Sequence, residues 1–440
     1  MTNFSVEAPT GDFAVRMSSK ATWSLKTVGQ IIKWLSNCPE SHSLCTTSRC
    51  RDSSTKRLPV RLIDTGAVEG YSTSIESFEA SSLERRPDIR LCVSATLPKD
   101  IKYLILSHRW GDCPAIKLTN ETLDAFHWSI PVPRLLAPEA LTFKHSIEVT
   151  RCLGFRYLWI DALCINQDDA QEKSREITYM DEIYSNSSLN ISSTAAASGS
   201  EGLFYKRFPF SVEPCRRPIK VFGSGSQMSG ELITYTDRWS DQVNHGLVNK
   251  RAWVFQERIL SPRIIHFARD QVFWECASLR AADASSFDDI ALYSGYAGFL
   301  KKWYEDNPSG DLNTFHTNWS LLVTVYSGTK VTFPGDRLVA ISAVARRMCR
   351  LRNLNQEDYI AGMWRPGLVR QLMWVVIAPW TSGPPPAIYQ APSWSWASTT
   401  ADGVIWHLGD KVGQIVVDLI DVSISLKTND WFGEISSGRI

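Results

Sequence analysis

The sequence predicts an α/β protein: a parallel sheet with helices on both faces, followed by a mixed α+β region. Three observations carry this. Between residues 102 and 192, apolar runs of strand length alternate with helix-periodic stretches, the order of a doubly wound sheet. Those runs are apolar throughout, as strands buried on both faces should be. Beyond Gly202 the alternation stops, and Pro, Gly and Ser gather over residues 209–230.

Taken in order, residues 1–100 form a flank. The first 30 residues or so are polar, residues 30–38 begin an apolar-periodic stretch, and residues 65–87 are rich in Ser, Glu and Gly and read as a loop. The first strand is Tyr103-Leu104-Ile105-Leu106, which stops at Ser107-His108-Arg109-Trp110-Gly111-Asp112. Residues 143–152 place Phe143, Ile147 and Thr150 on one helical face, and Gly154 stands where a C′ glycine is expected. The second strand, Tyr157-Leu158-Trp159-Ile160, ends at Asp161. Asp169 and Glu172 have capping-box spacing, and Ile177, Met180, Ile183 and Tyr184 recur at helical intervals. Residues 189–192 supply a third strand. These assignments give an α/β domain over residues 101–205 and an α+β domain over 206–440. The latter holds the strand-like segments 264–267 and 272–274, a helix over 336–352, and Trp364, Trp374, Trp380, Trp394 and Trp396. Trp394 and Trp396, two apart, read as strand residues sharing one face. Arg346, Arg347, Arg350 and Arg352 read as the solvated face of the helix.

Composition narrows the function classes. The 440 residues carry 47 Lys+Arg against 46 Asp+Glu, a net charge of +1, without the positive excess that displaces counterions from nucleic acid. Hydrophobic residues at 44% and charged ones at 21% are ordinary for folded domains. The 17 Trp, 13 Tyr and 18 Phe call for a large packed interior or a stacking surface. No apolar run approaches the ~20 residues that span a bilayer, and the first 20 residues lack the apolar segment of a secretory signal. Ten scattered cysteines read as reduced thiols. The expectation is a soluble, cytoplasmic chain with no membrane span and no nucleic-acid partner.

In doubly wound sheets ligands sit beyond the carboxyl ends of the strands. Ser107, His108, Arg109, Trp110, Asp112 and Asp161 gather at that edge. Each also has a plainer reading. Asp161 can fix the loop that follows it, and Cys164 packs as a small hydrophobe. Ser107 and His108 point to opposite faces of a strand and make a poor dyad. Glu257 reads as a structural ion pair near Arg251 or Arg263. The Cys38-x3-His42-x2-Cys45-x4-Cys50 run offers four zinc-type ligands, but its gaps match no diagnostic spacing. Metal binding stays open there, and no metal residue is assigned.

Two motifs, Ser107/Trp110/Gly111 after a strand and the Leu158–Gln167 segment (LWIDALCINQ), resemble the fungal heterokaryon-incompatibility (HET) domain. Glu176, Met180, Ile183 and Tyr184 match its third hallmark. Trp34, Cys38, His42 and Cys45 before Leu58-Pro59-Val60-Arg61-Leu62-Ile63-Asp64 match its flank, as do residues 251–263 and 392–396 downstream. The resemblance implies non-self recognition between fungal strains and the cell death that follows fusion. It also implies a TIR-like (flavodoxin-like) core, and some TIR domains hydrolyse NAD with a helix glutamate. By position that residue is Glu176, with Glu172 as its rival. Around it, Ser107, His108, Arg109, Trp110 and Asp161 would bind substrate, Arg109 on a pyrophosphate and Trp110 on a base. NAD enters as substrate, and no cofactor is assigned. The partners expected are a further copy of the chain, through self-assembly, and a protein of unknown identity. Two alternatives stay open: a non-catalytic assembly module, and an enzyme or accessory protein of specialised metabolism.

Overall fold

A computed structural model describes residues 4–7, 19–47, 57–67, 70, 74–111, 116–212, 215–223, 226–234, 238–283, 301, 311–377, 388–399, 403–406 and 418–440. Asp112, Cys50 and Trp380 lie outside the described residues. In chain order, the elements that frame the site are α1 (Leu25–Ser41), β1 (Arg61–Asp64), β2 (Arg90–Val93), β3 (Tyr103–Ser107), α2 (Leu141–Cys152), β4 (Tyr157–Trp159), α3 (Asp161–Cys164), α4 (Ala170–Thr178), α5 (Met180–Ser185) and β5 (Leu189–Ser192). They continue with α6 (Ala252–Leu260), β6 (Arg263–Phe267), β7 (Val272–Cys276), β8 (Arg280–Ala282), α7 (Leu312–Ser327) and α8 (Asp336–Leu351).

The three apolar runs are strands, as their composition requires, and every residue of β3, β4 and β5 is buried. They lie in a sheet of order β8-β7-β6-β5-β3-β4-β1-β2 among the described residues. Only its middle is parallel: β4, β3, β5 and β6 run together. The flanking strands β1, β2, β7 and β8 are antiparallel. The expected parallel sheet is therefore corrected to a mixed one with helices on both sides. The reason is local: β6, β7 and β8 follow one another through short turns, which allow only antiparallel neighbours. Within the parallel part the strands succeed each other in the order second, first, third, fourth. The order of strand succession thus reverses between β3 and β5, although the two run parallel.

Local signals hold at α2 and change at α4. The helix α2 buries Phe143, Ile147 and Thr150, and Gly154 takes φ +67° while its amide bonds Arg151 O. At α4, Asp169 caps the helix by accepting from the amides of Gln171 and Glu172, each at 2.9 Å. The reciprocal half of the capping box is missing. Glu172 instead takes a bidentate bond from Arg61 at 2.6 and 3.0 Å, and the Asn166 amide at 2.8 Å. A guanidinium from β1 outcompetes a backbone amide for a carboxylate.

One apolar core runs from α1 through the sheet to α7, α8 and the residues beyond. The indoles fill it: Trp319 and Trp396 both donate to Gly362 O, at 3.0 and 2.7 Å, and Trp319 meets Trp364 edge-on. Trp396 opens a short 3₁₀ turn, so it does not share a strand face with the half-buried Trp394. The arginines of α8 are a solvated face only in part: Arg350 is exposed, but two of the four are drawn into ion pairs. Arg346 pairs with Asp430, and Arg350 with Asp181 and Glu182 of α5, because α8 packs against α5 and brings their carboxylates within reach. Residues 215–223 and 226–234 form a hairpin that pairs with Phe4–Glu7 in a separate sheet.

Candidate functional site at the carboxyl edge of the sheet

The carboxyl end of β3 lies at the reversal point between β3 and β5, and polar side chains converge on it. Ser107 Oγ donates to Glu257 Oε2. Asn190 Nδ2 donates to Ser107 Oγ at 2.9 Å and to Ser261 Oγ at 3.0 Å. Ser261 Oγ in turn donates to Glu257 O at 2.6 Å, which fixes the end of α6. Tyr184 hydrogen-bonds the same Glu257 carboxyl, and Arg251 lies within its field. Desolvation is the largest influence on Glu257 and pushes it up to about 7, against Ser107 and Arg251, which favour the charged form.

Around this knot, His108, Trp110 and Asp161 meet on the same edge. His108 is buried, and its Nδ1 lies 3.8 Å from Asp161 Oδ1. Burial holds the imidazole below its usual range in spite of Asp161, so the ring is neutral near pH 7. Its Nε2 has no hydrogen-bond partner among the described residues. Arg251 Nη1 donates to His108 O at 2.5 Å. Trp110 Nε1 donates to Asp161 Oδ2 at 3.0 Å, and Asp161 Oδ1 takes the Ala162 amide at 2.7 Å. Asp161 therefore fixes its own loop and also orients Trp110. Arg109 is half-buried beside them.

Glu176 belongs to a different cluster. It is 2% exposed, and burial pushes its carboxyl up to about 7; the Val60 amide, Arg57 and Arg61 oppose this, and Glu172 adds to it. No bond joins it to Ser107, His108, Arg109, Trp110 or Asp161 among the described residues. Glu172, its rival, is held below the usual carboxylate range, because Arg61 and the Asn166 amide outweigh the desolvation that acts against ionisation. Cys164 is buried, and burial pushes its thiol up, consistent with packing rather than nucleophilic chemistry.

Glu257, read from the sequence as a structural ion pair near Arg251 or Arg263, instead takes its hydrogen bonds from Ser107, 150 positions away, and Tyr184, with Arg251 acting on it only through its charge. A further buried set lines up Thr194, His266 and Glu275, with 3.1 Å contacts on either side of the imidazole. Arg258 and Arg280 hold Glu275, and burial pushes His266 down to about 4. A ring wholly inside the core is a structural link rather than a general base. Among the described residues, the side chains grouped closely enough to hold a metal are Cys38, His42, Cys45 and Cys276.

Residues 103–257 match the family described as heterokaryon incompatibility protein (HET). A 129-residue stretch is 36% identical to "Heterokaryon incompatibility protein 6, OR allele" of Neurospora crassa, covering 28% of this chain and 19% of the relative. The chain thus aligns with about a fifth of that relative's length. No solved structure matches the chain. No helix among the described residues is long and apolar enough to cross a membrane.

Proposed function

Because the chain carries a HET domain across residues 103–257, we propose that it acts in fungal non-self recognition in the cytoplasm, leading to cell death after fusion. The reading takes its process from the name of the Neurospora relative. Within it, the crevice between β3 and β5 receives the ligand. The observation that carries this is the strand order: the parallel core reverses at β3/β5, and Ser107, His108, Trp110, Asp161 and Glu257 meet at its carboxyl edge. Ligands bind at that point in doubly wound sheets, and the order second-first-third-fourth is that of flavodoxin-like folds, which supports a TIR-like core.

The chemistry proposed is hydrolysis of NAD at the nicotinamide–ribose bond. Water adds to the ribose carbon, neutral nicotinamide leaves with the bonding pair, and ADP-ribose and a proton are the other products. Positive charge builds on the ribose, and an ionised carboxylate beside it stabilises that charge. Glu176 is the carboxylate that the family position favours, and Glu257 is the one that the edge geometry favours. Nicotinamide release by the purified chain, at concentrations that allow self-assembly, tests the proposal. Loss of release in folded Glu176→Ala or Glu257→Gln identifies the carboxylate; no release from the wild type removes the hydrolase.

One observation favours a second reading, a non-catalytic module that signals by assembling with copies or a partner. Glu176 is sealed in the core, apart from the edge residues. This reading expects Glu176→Ala, if folded, to kill host cells as the wild type does when expressed in a fungus.

A further inference from the structure

The geometry points to a structural zinc ion held by Cys38, His42, Cys45 and Cys276, a site independent of the proposed function. The four residues come from distant parts of the chain. Cys38 lies in the last turns of α1, His42 caps that helix, and Cys45 follows in the short helix Ser43–Thr47. Cys276 ends β7, and it stands 234 positions from His42. One ligand atom from each falls within 4.8 Å of all the others. Tetrahedral zinc, with Zn–S near 2.3 Å and Zn–N near 2.0–2.1 Å, sets its ligand atoms about 3.5–3.8 Å apart. His42 Nδ1 and Cys276 Sγ are already 3.5 Å apart. Three thiolates and an imidazole make a closed structural set with no position left for substrate.

The surroundings are built for charged sulfur. Arg263 Nε donates to Cys38 Sγ at 3.2 Å, and the Leu279 amide donates to Cys276 Sγ at 3.2 Å, the outer contacts that orient metal ligands. Arg263 is only 2% exposed, and no carboxylate pairs with it among the described residues. A buried guanidinium without a counter-charge is costly. Zinc with three thiolates carries a net charge of −1 and supplies that counter-charge; three neutral thiols do not. All three cysteines are free of disulfides. The site also corrects the contiguous Cys/His run in one member: the fourth ligand comes from the sheet, and Cys50 is not needed.

The test is the metal content of the full chain, produced without a histidine tag, grown with zinc and passed over a chelating resin. One zinc per chain is expected. Cys276→Ser and Cys45→Ser should each lose it, and Cys50→Ser should retain it in full. Loss of a ligand can also unfold such a site, so the wild type carries its own readout. Stripped of zinc and given cobalt, it should show the intense thiolate-to-cobalt bands of a tetrahedral site. Absence of both zinc and the cobalt spectrum would overturn the proposal. So would a disulfide between any two of the three cysteines in unreduced peptides, stoichiometric iron with visible absorption, or loss of zinc in a folded Cys50→Ser chain.

Discussion

Replacing Glu257 by glutamine isolates the cost of keeping a carboxyl beneath the edge of the sheet. The carboxyl is partly buried and held by Ser107 and Tyr184, and it titrates near 7 in the folded chain against an ordinary 4.5. At 1.36 kcal/mol per pH unit, that difference is worth about 3 kcal/mol. The sign follows from proton counting. Below pH 4.5 folded and unfolded chains both hold the proton, and the group's contribution is at its fullest. Between 4.5 and about 7 the unfolded chain releases it while the folded chain keeps it, so stability falls as pH rises. Above about 7 the loss is complete. Glutamine keeps an oxygen to accept from Ser107 but has no proton to exchange. Urea unfolding of both proteins from about pH 4.5 to about 8.5 reads the difference, and groups common to both cancel. The advantage of Glu257→Gln over wild type should grow by about 3 kcal/mol across that range. A difference that stays flat with pH would refute the burial argument.

Other predictions follow the same geometry. Arg61→Met or Glu172→Gln should each cost about 3–5 kcal/mol in chemical denaturation, because either leaves a buried charge or dipole unpaired; the double variant should cost less than the two singles combined. Asp169→Ala should remove about 1 kcal/mol by freeing two amides of α4, measured in the same way. Gly154→Ala should destabilise by more than the ~1–2 kcal/mol of a left-handed residue, since its new Cβ would sit 1.9 Å from Gly70 O; a loss below 1 kcal/mol would count against that close approach. If Glu176 is the reacting carboxylate, NAD hydrolysis should rise with pH and level off above about 7, where the group is ionised; a profile that falls through neutrality would exclude that role.

What the sequence disclosed was local. The fully apolar runs at 103, 157 and 189 could only be strands covered on both faces, and Gly154 marked the end of α2 because few other residues take a positive φ. Apolar pattern does not carry strand direction, so the antiparallel flanks of the sheet were invisible. Pairings between distant positions were equally hidden. Nothing in residues 107 or 257 announces that Ser107 donates to Glu257, and nothing near Cys45 points to Cys276. The capping box was misleading for a related reason: Glu172 had the right spacing but found Arg61, a stronger donor from another strand. Arg346 and Arg350 matched an amphipathic face in one dimension, and only the packing of α8 revealed their carboxylate partners. At the edge itself, Ser107, His108, Trp110 and Asp161 were legible as a group because strand ends collect polar residues. Glu176, named from family position, stands apart from them in the fold.

The family match stops at residue 257, but the sheet does not. β6 begins at Arg263 and is the parallel neighbour of β5. A chain cut after Glu257 would therefore turn β5 from an interior strand into an outer one. Its backbone donors and acceptors on that side would lose their partners, and the apolar Leu189 and Ile191 would lose their cover. Such a margin invites strand exchange between molecules. During synthesis the same exposed margin exists until residues 263–267 leave the ribosome, so the interval between β5 and β6 is one in which this chain can join another instead of itself.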